Sequence, residues 1–336
     1  MNFRKYSSIE NTYRTKTINY IVECGYSSGI WVSSLKIHGA NYSYWSDGDV
    51  VKKARKSGFL EGESFYGDST FNYDQNILNM FNNLKKQGDF STLTVYGEIY
   101  GGIYNHPNVE AIKNVKKVQK EVQYRPDVNF IVFDIRVDDI LLDHYTVVEL
   151  CDQFGFFHVP VLGMGSFYDL MKTPVVFPDP LGIMLGYPKL EDNDAEGWVL
   201  KPVMPEFFNN GSRVILKGKN PSFSEKNGGK KGKIHNTIIE MSKEGDYIKE
   251  ELLLYINENR LRNVLSHGEI CKITQKDFGK LLGLFSKDIF VDFLKDNKDK
   301  FDIIDKKEQI TIKRIMNKTA GDIIRLNFLN IIDGEF

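Results

Sequence analysis

What this sequence has little of narrows it first. Only three cysteines occur in 336 residues, Cys24, Cys151 and Cys271, and no two form a C-x-x-C pair. That argues against a disulfide framework and a Cys₄ zinc site, and it fits a reducing compartment. Charge of either sign is not in excess: the formal net charge is −1. Any hold on nucleic acid must therefore come from a local patch rather than the overall field. No apolar run approaches the roughly 18 residues that suggest a membrane span. The opening M-N-F-R-K-Y-S-S-I-E-N has neither an apolar signal core nor an Arg-rich amphipathic presequence. A soluble, cytoplasmic protein is expected. Walker A spacing is missing, because the Gly-Lys runs near Gly229 lack the spacing and the Ser/Thr. The kinase set, the G-x-S-x-G elbow and H-E-x-x-H are missing too. There is no internal repeat, and no heptad seam to suggest a coiled-coil oligomer, so a monomer is expected.

What is present is a chain long enough for two domains, with 41% hydrophobic and 13% aromatic residues for a sizeable core. Strand-like runs bounded by Gly, Asp or Asn lie at Val32–Leu35, Asn41–Trp45, Leu93–Ile99, Phe130–Val137, Gly197–Val203 and Arg213–Lys217. Helical patterns interrupt them at Ile77–Lys86 and Ser166–Met171, with Ser166 as N-cap. Without a βαβ rhythm, the pattern predicts an antiparallel-rich α+β domain over residues 1–225. A Gly/Lys stretch, E-K-N-G-G-K-K-G-K-I-H-N, makes 226–243 a basic flexible linker. Beyond it, Ile248, Leu252 and Ile256 recur at helical spacing. Thr274 and Ser286 read as N-caps of two further helices, and a long periodic segment runs from about Lys306 to Leu329. Residues 244–336 are thus expected to form a small all-helical domain. The richness in Asn, Lys and Ile hints at an AT-rich genome, such as that of a phage or virus.

Several short stretches could carry chemistry, and each has an ordinary reading beside it. In L-K-I-H-G-A-N, Lys36 could be an amine nucleophile once its pKa is lowered. Gly39 removes a Cβ that would block a phosphate, and Asn41 offers an amide. The ordinary reading is a strand end with a solvated lysine. In V-Y-G-E-I-Y-G-G, Glu98 could accept from a ribose hydroxyl or be an edge-strand glutamate. In F-I-V-F-D-I-R, strict alternation would place Phe130, Val132 and Asp134 on one face and Ile131, Phe133 and Ile135 on the other. Phe133 could stack on a purine or belong to a core. In E-G-W-V-L-K-P, Glu196 could face Mg²⁺ or be a turn acid. Lys217 and Lys219 share a strand face, where like charges repel unless an anion lies between them. From Lys201 to Asn236 there are eight Lys/Arg against two acids, a basic patch that the whole-chain charge conceals.

Taken in order, KIHGAN, VYGE, FIVFDI, EGWVLKP and LKGKNPSFSEK resemble the motifs of the RNA ligase 2 family, covalent nucleotidyltransferases related to the trypanosome RNA-editing ligases. The resemblance runs nearly end to end, from Y-S-S-I-E-N at 6–11 to K-D-F-G-K-L-L-G-L at 276–284. It implies ATP as AMP donor, Mg²⁺ or Mn²⁺, and RNA ends or nicked duplex RNA as substrate. It makes Lys36 the nucleophile that forms lysyl-AMP, before AMP passes to an RNA 5′-phosphate and a 3′-hydroxyl displaces it. Lys217 and Lys219, with the metal, would lower the Lys36 pKa and neutralise the transferring phosphoryl group. Glu196 is the expected metal ligand. Leu35 (through backbone), Ile37, His38, Asn41, Glu98, Phe133 and Lys201 would line the nucleotide site, Lys201 with the linker lysines also tracking RNA phosphates. The family's Arg in a K-R-[S/T] run aligns with Lys56, and Arg55 stands beside it, so a bidentate fork is either lost or displaced. Where His38 stands, DNA ligases and capping enzymes usually carry aspartate, which favours the RNA branch. Two alternatives remain: a catalytically silent RNA-binding protein on the same scaffold, and an adenylating ligase acting on DNA ends.

Overall fold

In this computed structural model all residues are described except 63, 224–240, 267–272 and 334–335. The first half of the chain gives β1 (Glu10–Asn11), α1 (Thr15–Glu23), β2 (Trp31–Leu35), β3 (Ala40–Ser46), β4 (Val51–Arg55), β5 (Gly58–Phe59), α2 (Asp74–Lys85), β6 (Leu93–Ile103) and β7 (Arg125–Val137). Then come β8 (Ile140–Leu141), α3 (His144–Phe154), β9 (Val161–Gly165), α4 (Phe167–Leu170), α5 (Leu181–Met184), β10 (Gly197–Pro202) and β11 (Leu216–Lys219). Four longer helices close the order: α6 (Lys243–Leu253), α7 (Glu258–Ser266), α8 (Phe278–Ile303) and α9 (Lys306–Asp333). The mixture is α+β, as expected. Of the strand pairings, β1 with β11 is parallel and the others are antiparallel.

The chain divides into two compact units. The first gathers Met1–Arg14, Ser28–Phe207 and the stretch that starts at Ser212. It holds a five-stranded sheet, β1-β11-β10-β2-β9, and a six-stranded sheet, β5-β4-β3-β6-β7-β8. One face of the larger sheet is covered by α2 and α3. Helix α2 buries Ile77, Met80 and Phe81, an i, i+3, i+4 stripe. Helix α3 buries Val147, Leu150 and Cys151, and Asp143 caps it by accepting from the Tyr145 and Thr146 amides. Both stripes meet Tyr42, Tyr44, Val95, Phe130, Val132 and Ile135 of the sheet in one core. Ser166 caps α4 as expected.

Strict alternation fails in β7. Tyr96 pairs with Asp134, but its neighbour Gly97 pairs with Val132, so Phe133 is an extra residue in a β-bulge. The insertion turns Phe133 and Asp134 toward the same cavity, while Ile135 rejoins Phe130 and Val132 in the core. A bulge re-aims the side chains beyond it, and this one cancels the expected separation of Phe133 from Asp134.

The second unit comprises Thr15–Ser27, Phe208–Gly211 and the C-terminal part of the chain. Its core is helical, with Ile248, Leu252, Leu281, Phe285, Ile289, Phe293, Ile312 and Ile324 deeply buried. Ser242 caps α6 through the Gly245 amide, and Glu308 of α9 accepts from the Ser242 amide and hydroxyl. The linker expected over 226–243 falls, up to residue 240, outside the described residues. Thr274, expected as an N-cap, forms a capping box with Asp277, but Ser286 caps nothing. It lies buried inside α8, one continuous helix. A cap contributes about 1 kcal/mol, whereas burying Phe285, Ile289 and Phe293 contributes roughly 1.5–3 kcal/mol each. Packing wins. Helix α1 belongs to this unit: Glu23 pairs with Arg314, and Lys318 of α9 lies 4.6 Å from the centre of the Tyr26 ring. Cys24 and Cys151 are buried free thiols, one in each unit.

Candidate active site

Within the first unit, the two sheets face each other across a cavity of about 80 Å³. Ser34, Leu35, Lys36, Val199, Lys201 and Ile215 come from the smaller sheet and its edges. Glu98, Phe133 and Asp134 come from the larger one, and Tyr6 and Ile9 from the N-terminal segment. Lys36 follows the last residue of β2, and its backbone amide donates to the Gly197 carbonyl at 3.0 Å. That bond keeps the first residue of β10 beside it and places Glu196, one residue earlier, at the same end of the sheet.

Glu196 is the hub. Its Oε2 accepts from Lys36 Nζ at 2.6 Å and lies 3.4 Å from His38 Nδ1, while Oε1 lies 3.2 Å from Lys219 Nζ. Burial alone would raise this carboxyl, but the His38 hydrogen bond and the Lys36 charge outweigh it and hold it near about 2. His38 reaches a second carboxylate with Nε2, Glu121 Oε2 at 3.0 Å. Burial works against the imidazolium, yet the bonds to Glu196 and Glu121 raise its pKa above the ordinary value. Two ring nitrogens facing two carboxylates are both satisfied as donors only when the ring is protonated. Lys217 is shifted down by burial first, then by the charges of Lys36 and Lys219. The repulsion expected between the two strand lysines is thus met by a carboxylate of the protein itself.

Glu98 behaves in the opposite way. Burial pushes its carboxyl up to about 8, against the pull of Lys36 and with a push from Glu196. At neutral pH it carries its proton and can donate as well as accept. Asn41 stands opposite it in register on β3. Lys56 is close enough to act electrostatically on both Glu98 and Lys217, while Arg55 ends β4 opposite Tyr42. Leu35 and Ile37 are buried in the cavity wall. Gly39 has a reason different from the one read in the sequence. A Cβ there would sit 2.2 Å from the Ile99 carbonyl oxygen, so the close approach is to the protein's own β6.

A second, deeply buried charge cluster forms part of the cavity wall. Asp134 accepts from Lys201 Nζ at 2.7 Å and from Arg213 NH1 at 2.6 Å, and the Tyr6 hydroxyl donates to it too. Lys201 also donates to the Phe133 carbonyl at 2.9 Å. Burial would raise the Asp134 carboxyl, but Arg213 and Lys201 together hold it well below the carboxylate range. Lys201 is itself pushed down by burial. The cluster fixes both ends of the Phe133 residue, because the Tyr6 ring meets the Phe133 ring edge-on at 4.9 Å. Phe133 therefore presents its ring to the cavity from a rigid mount. The basic patch counted in the sequence shrinks accordingly. Lys201 and Arg213 are buried against Asp134, and Lys226, Lys230, Lys231 and Lys233 lie outside the described residues.

The sequence singled out Lys36, His38, Glu98, Phe133, Glu196, Lys201, Lys217 and Lys219, and the fold brings them to one cavity and its rim. It missed Glu121 and Tyr124, whose hydroxyl accepts from the His38 amide at 2.8 Å. Both come from the connection between β6 and β7, which carries no motif. Tyr6 and Arg213 stood inside quoted stretches without a role. Among the described residues no group of three or more His, Cys, Asp or Glu is placed to hold a metal. Glu196, an ionised hard-oxygen donor, fits a Mg²⁺ site of the kind completed by phosphates and water, provided the Lys36 amine gives up its place on the carboxylate.

The model of the RNA ligase family matches residues 29–219, and that of the T4 RNA ligase 2 C-terminal region matches residues 240–322. The mitochondrial RNA-editing ligase 2 of Trypanosoma brucei brucei is 26% identical over 356 residues, covering 88% of this chain and 83% of that protein. Among solved structures, a lysine-to-alanine mutant of Naegleria gruberi RNA ligase with ATP and Mn superimposes with a TM-score of 0.44 at 14% identity. The match covers 66% of this chain and 58% of that one. A lysine-to-methionine mutant of the same enzyme with AMP and Mn gives a TM-score of 0.42 at 15% identity, covering 66% and 57%. The match thus spans less than two thirds of the Naegleria gruberi chains. No helix among the described residues is long and apolar enough to cross a membrane.

Proposed function

This chain belongs to the RNA ligase family, and from that premise we propose that it is an ATP-dependent ligase joining RNA 3′-hydroxyl and 5′-phosphate ends, with nicks in duplex RNA as its preferred breaks. The observation that carries the reading is the Lys36 amine, held by Glu196 and lining one cavity with Phe133 and Glu98. The purine would stack on Phe133 and the ribose would meet the protonated Glu98. Lys217, Lys219 and His38 would face the phosphates.

In the first step Lys36 Nζ, freed of its proton and of Glu196, attacks the α-phosphorus of ATP. A P–N bond forms, the bond to the bridging oxygen breaks, and pyrophosphate leaves with the electron pair. The lysyl phosphoramidate then passes AMP to the RNA 5′-phosphate, restoring the amine. The RNA 3′-hydroxyl displaces AMP and closes the strand. Glu196 would hold Mg²⁺ or Mn²⁺, which supplies charge neutralisation at the transferring phosphoryl group. The lysines and His38 act on the same charge from fixed positions. The C-terminal residues 244–336 would engage RNA. The protein would act as a monomer in the cytoplasm of a cell or of a phage- or virus-infected host.

Incubation with α-labelled ATP and Mg²⁺ tests the reading. A covalent label on the wild type that is absent from Lys36→Ala is expected, followed by sealing of a nicked RNA duplex in preference to a nicked DNA duplex. Absence of label with RNA binding intact would overturn it in favour of an RNA-binding scaffold. Equal sealing of nicked DNA would overturn the choice of substrate, since A-form shape and the 2′-hydroxyl are what distinguish the two.

A further inference from the structure

The connection from β6 to β7, residues 104–124, is far longer than the 2–5 residues that join most paired antiparallel strands. Its inner side is fixed. Val118 and Val122 are buried, and the Val118 amide donates to the Gly101 carbonyl at 3.2 Å. Gly102, at φ +90°, makes the fold-back possible, because a Cβ there would lie 2.5 Å from the Lys116 carbonyl oxygen. The same segment grips the nucleophile's loop three times. Gln119 donates to the Gly39 carbonyl at 3.2 Å, Tyr124 accepts from the His38 amide, and Glu121 holds the His38 ring.

Its outer side is different. Lys113, Lys116, Lys117 and Lys120 are exposed, and no acid occurs among residues 111–120. Among the described residues none of the four is in an ion pair. Lys116 lies over the Tyr66 ring at 5.0 Å, a contact that leaves its charge uncancelled. Four ammonium groups without ion-pair partners in eight positions, flanked only by Glu110 and Glu121, repel one another unless a polyanion runs past them, and lysine meets phosphate as a point charge without demanding one geometry.

We infer that residues 104–124 form an RNA-docking arm, whose lysines hold the sugar-phosphate backbone while its inner face holds the Lys36–Gly39 loop. The inference rests on the ligase reading for the identity of the polyanion. The arm couples the two halves of the substrate problem: the groups that bind the strand and those that orient His38 are a few residues apart on one braced segment.

The test replaces Lys113, Lys116, Lys117 and Lys120 together by Gln, with an all-Arg variant as the charge-preserving control. Affinity for nicked duplex RNA is measured by filter binding from about 50 to 200 mM salt, and self-adenylation is measured with ATP alone. Each phosphate contact contributes about 0.7–0.9 to the slope of log K against log salt. The Gln variant is expected to flatten that slope by about 3 and to weaken RNA binding by tenfold or more at ~0.1 M salt. The all-Arg variant keeps both, and the KM for ATP stays within twofold in each. Identical slopes and affinities in wild type and Gln variant would overturn the inference. So would a raised KM for ATP with RNA affinity intact, which would give the lysines to the nucleotide's phosphates. Failure of the wild type to label with AMP strikes the ligase reading instead, and the binding slopes still decide the arm.

Discussion

Glu196 and Asp134 are two buried carboxylates of one unit, and each is surrounded by three donors, yet they have opposite uses. Around Asp134 the cations are sealed in, with Lys201 5% and Arg213 1% exposed. Around Glu196 they reach solvent, with Lys36 20% and Lys219 25% exposed. The Asp134 partners have nowhere else to go, so that cluster fixes the Phe133 wall. The Glu196 partners can exchange one anion for another, and a polyphosphate entering the cavity offers them several. The same local charge arithmetic gives a rivet in one place and a socket in the other, and water access decides which.

Chemistry separates the two carboxylates most widely. Lys36→Ala is expected to reduce self-adenylation by more than about 10³-fold, the scale of losing a covalent nucleophile, with an unfolding midpoint close to that of the wild type. A stability loss of more than about 2 kcal/mol would make Lys36 part of the rivet. The second measurement is urea unfolding of Asp134→Asn beside Glu196→Gln. Asp134→Asn leaves two buried cations without their carboxylate and is expected to cost about 3–5 kcal/mol. Glu196→Gln leaves its cations partly in water and is expected to cost about 1 kcal/mol or less, while adenylation drops sharply. Equal stability losses would erase the distinction.

Titration sharpens it. Glu98 and Glu196 shift in opposite directions, so their contributions to stability have opposite slopes. Glu196, held near about 2, adds stability above the unfolded carboxyl range and loses it as pH falls toward 2. Glu98, pushed to about 8, keeps a proton that the unfolded chain releases, so its contribution declines as pH rises from about 4.5 to 8. Asp179, whose buried carboxyl is pushed by burial to about 7, adds to that decline. Unfolding free energy measured across pH 5–9 should therefore fall with pH, and Glu98→Gln should remove part of the fall. An unchanged slope in the variant would place Glu98 in the ordinary carboxylate range. Tyr6→Phe removes one hydroxyl from Asp134 and is expected to cost about 1.5–3 kcal/mol, less than Asp134→Asn. A loss below about 0.5 kcal/mol would mean that Lys201 and Arg213 hold Asp134 unaided.

Much of this was legible in the residues. The strands that carry Glu98, Phe133, Lys217 and Lys219, and those that Lys36 and Glu196 adjoin, announce themselves by β-branched and aromatic runs. Two kinds of feature were not. A bulge changes which face a side chain takes without changing composition, so Phe133 and Asp134 read as back to back when both face the cavity. Long-range partners leave no local mark either: Glu121 reaches His38 from 83 positions away, and nothing around it repeats or alternates. Burial also hides from a charge count, which is why Lys201 and Arg213 looked like surface. At Ser286 a good capping residue was overruled by the apolar stripe that runs through it.

Helix α1 has a consequence in time. It is made early, but its partner Arg314 lies 291 positions later, so at roughly 5–20 residues per second the helix waits on the order of 15–60 s for α9 to emerge from the ribosome. Through that interval α1, which buries Ile18 and Ile21 in the finished protein, has no α9 to pack against. Of the two units, the helical one is thus the later to complete itself during synthesis. A fragment expressed from residue 241 onward would lack a helix of its own fold, and supplying residues 15–27 as a separate peptide would be the way to restore it.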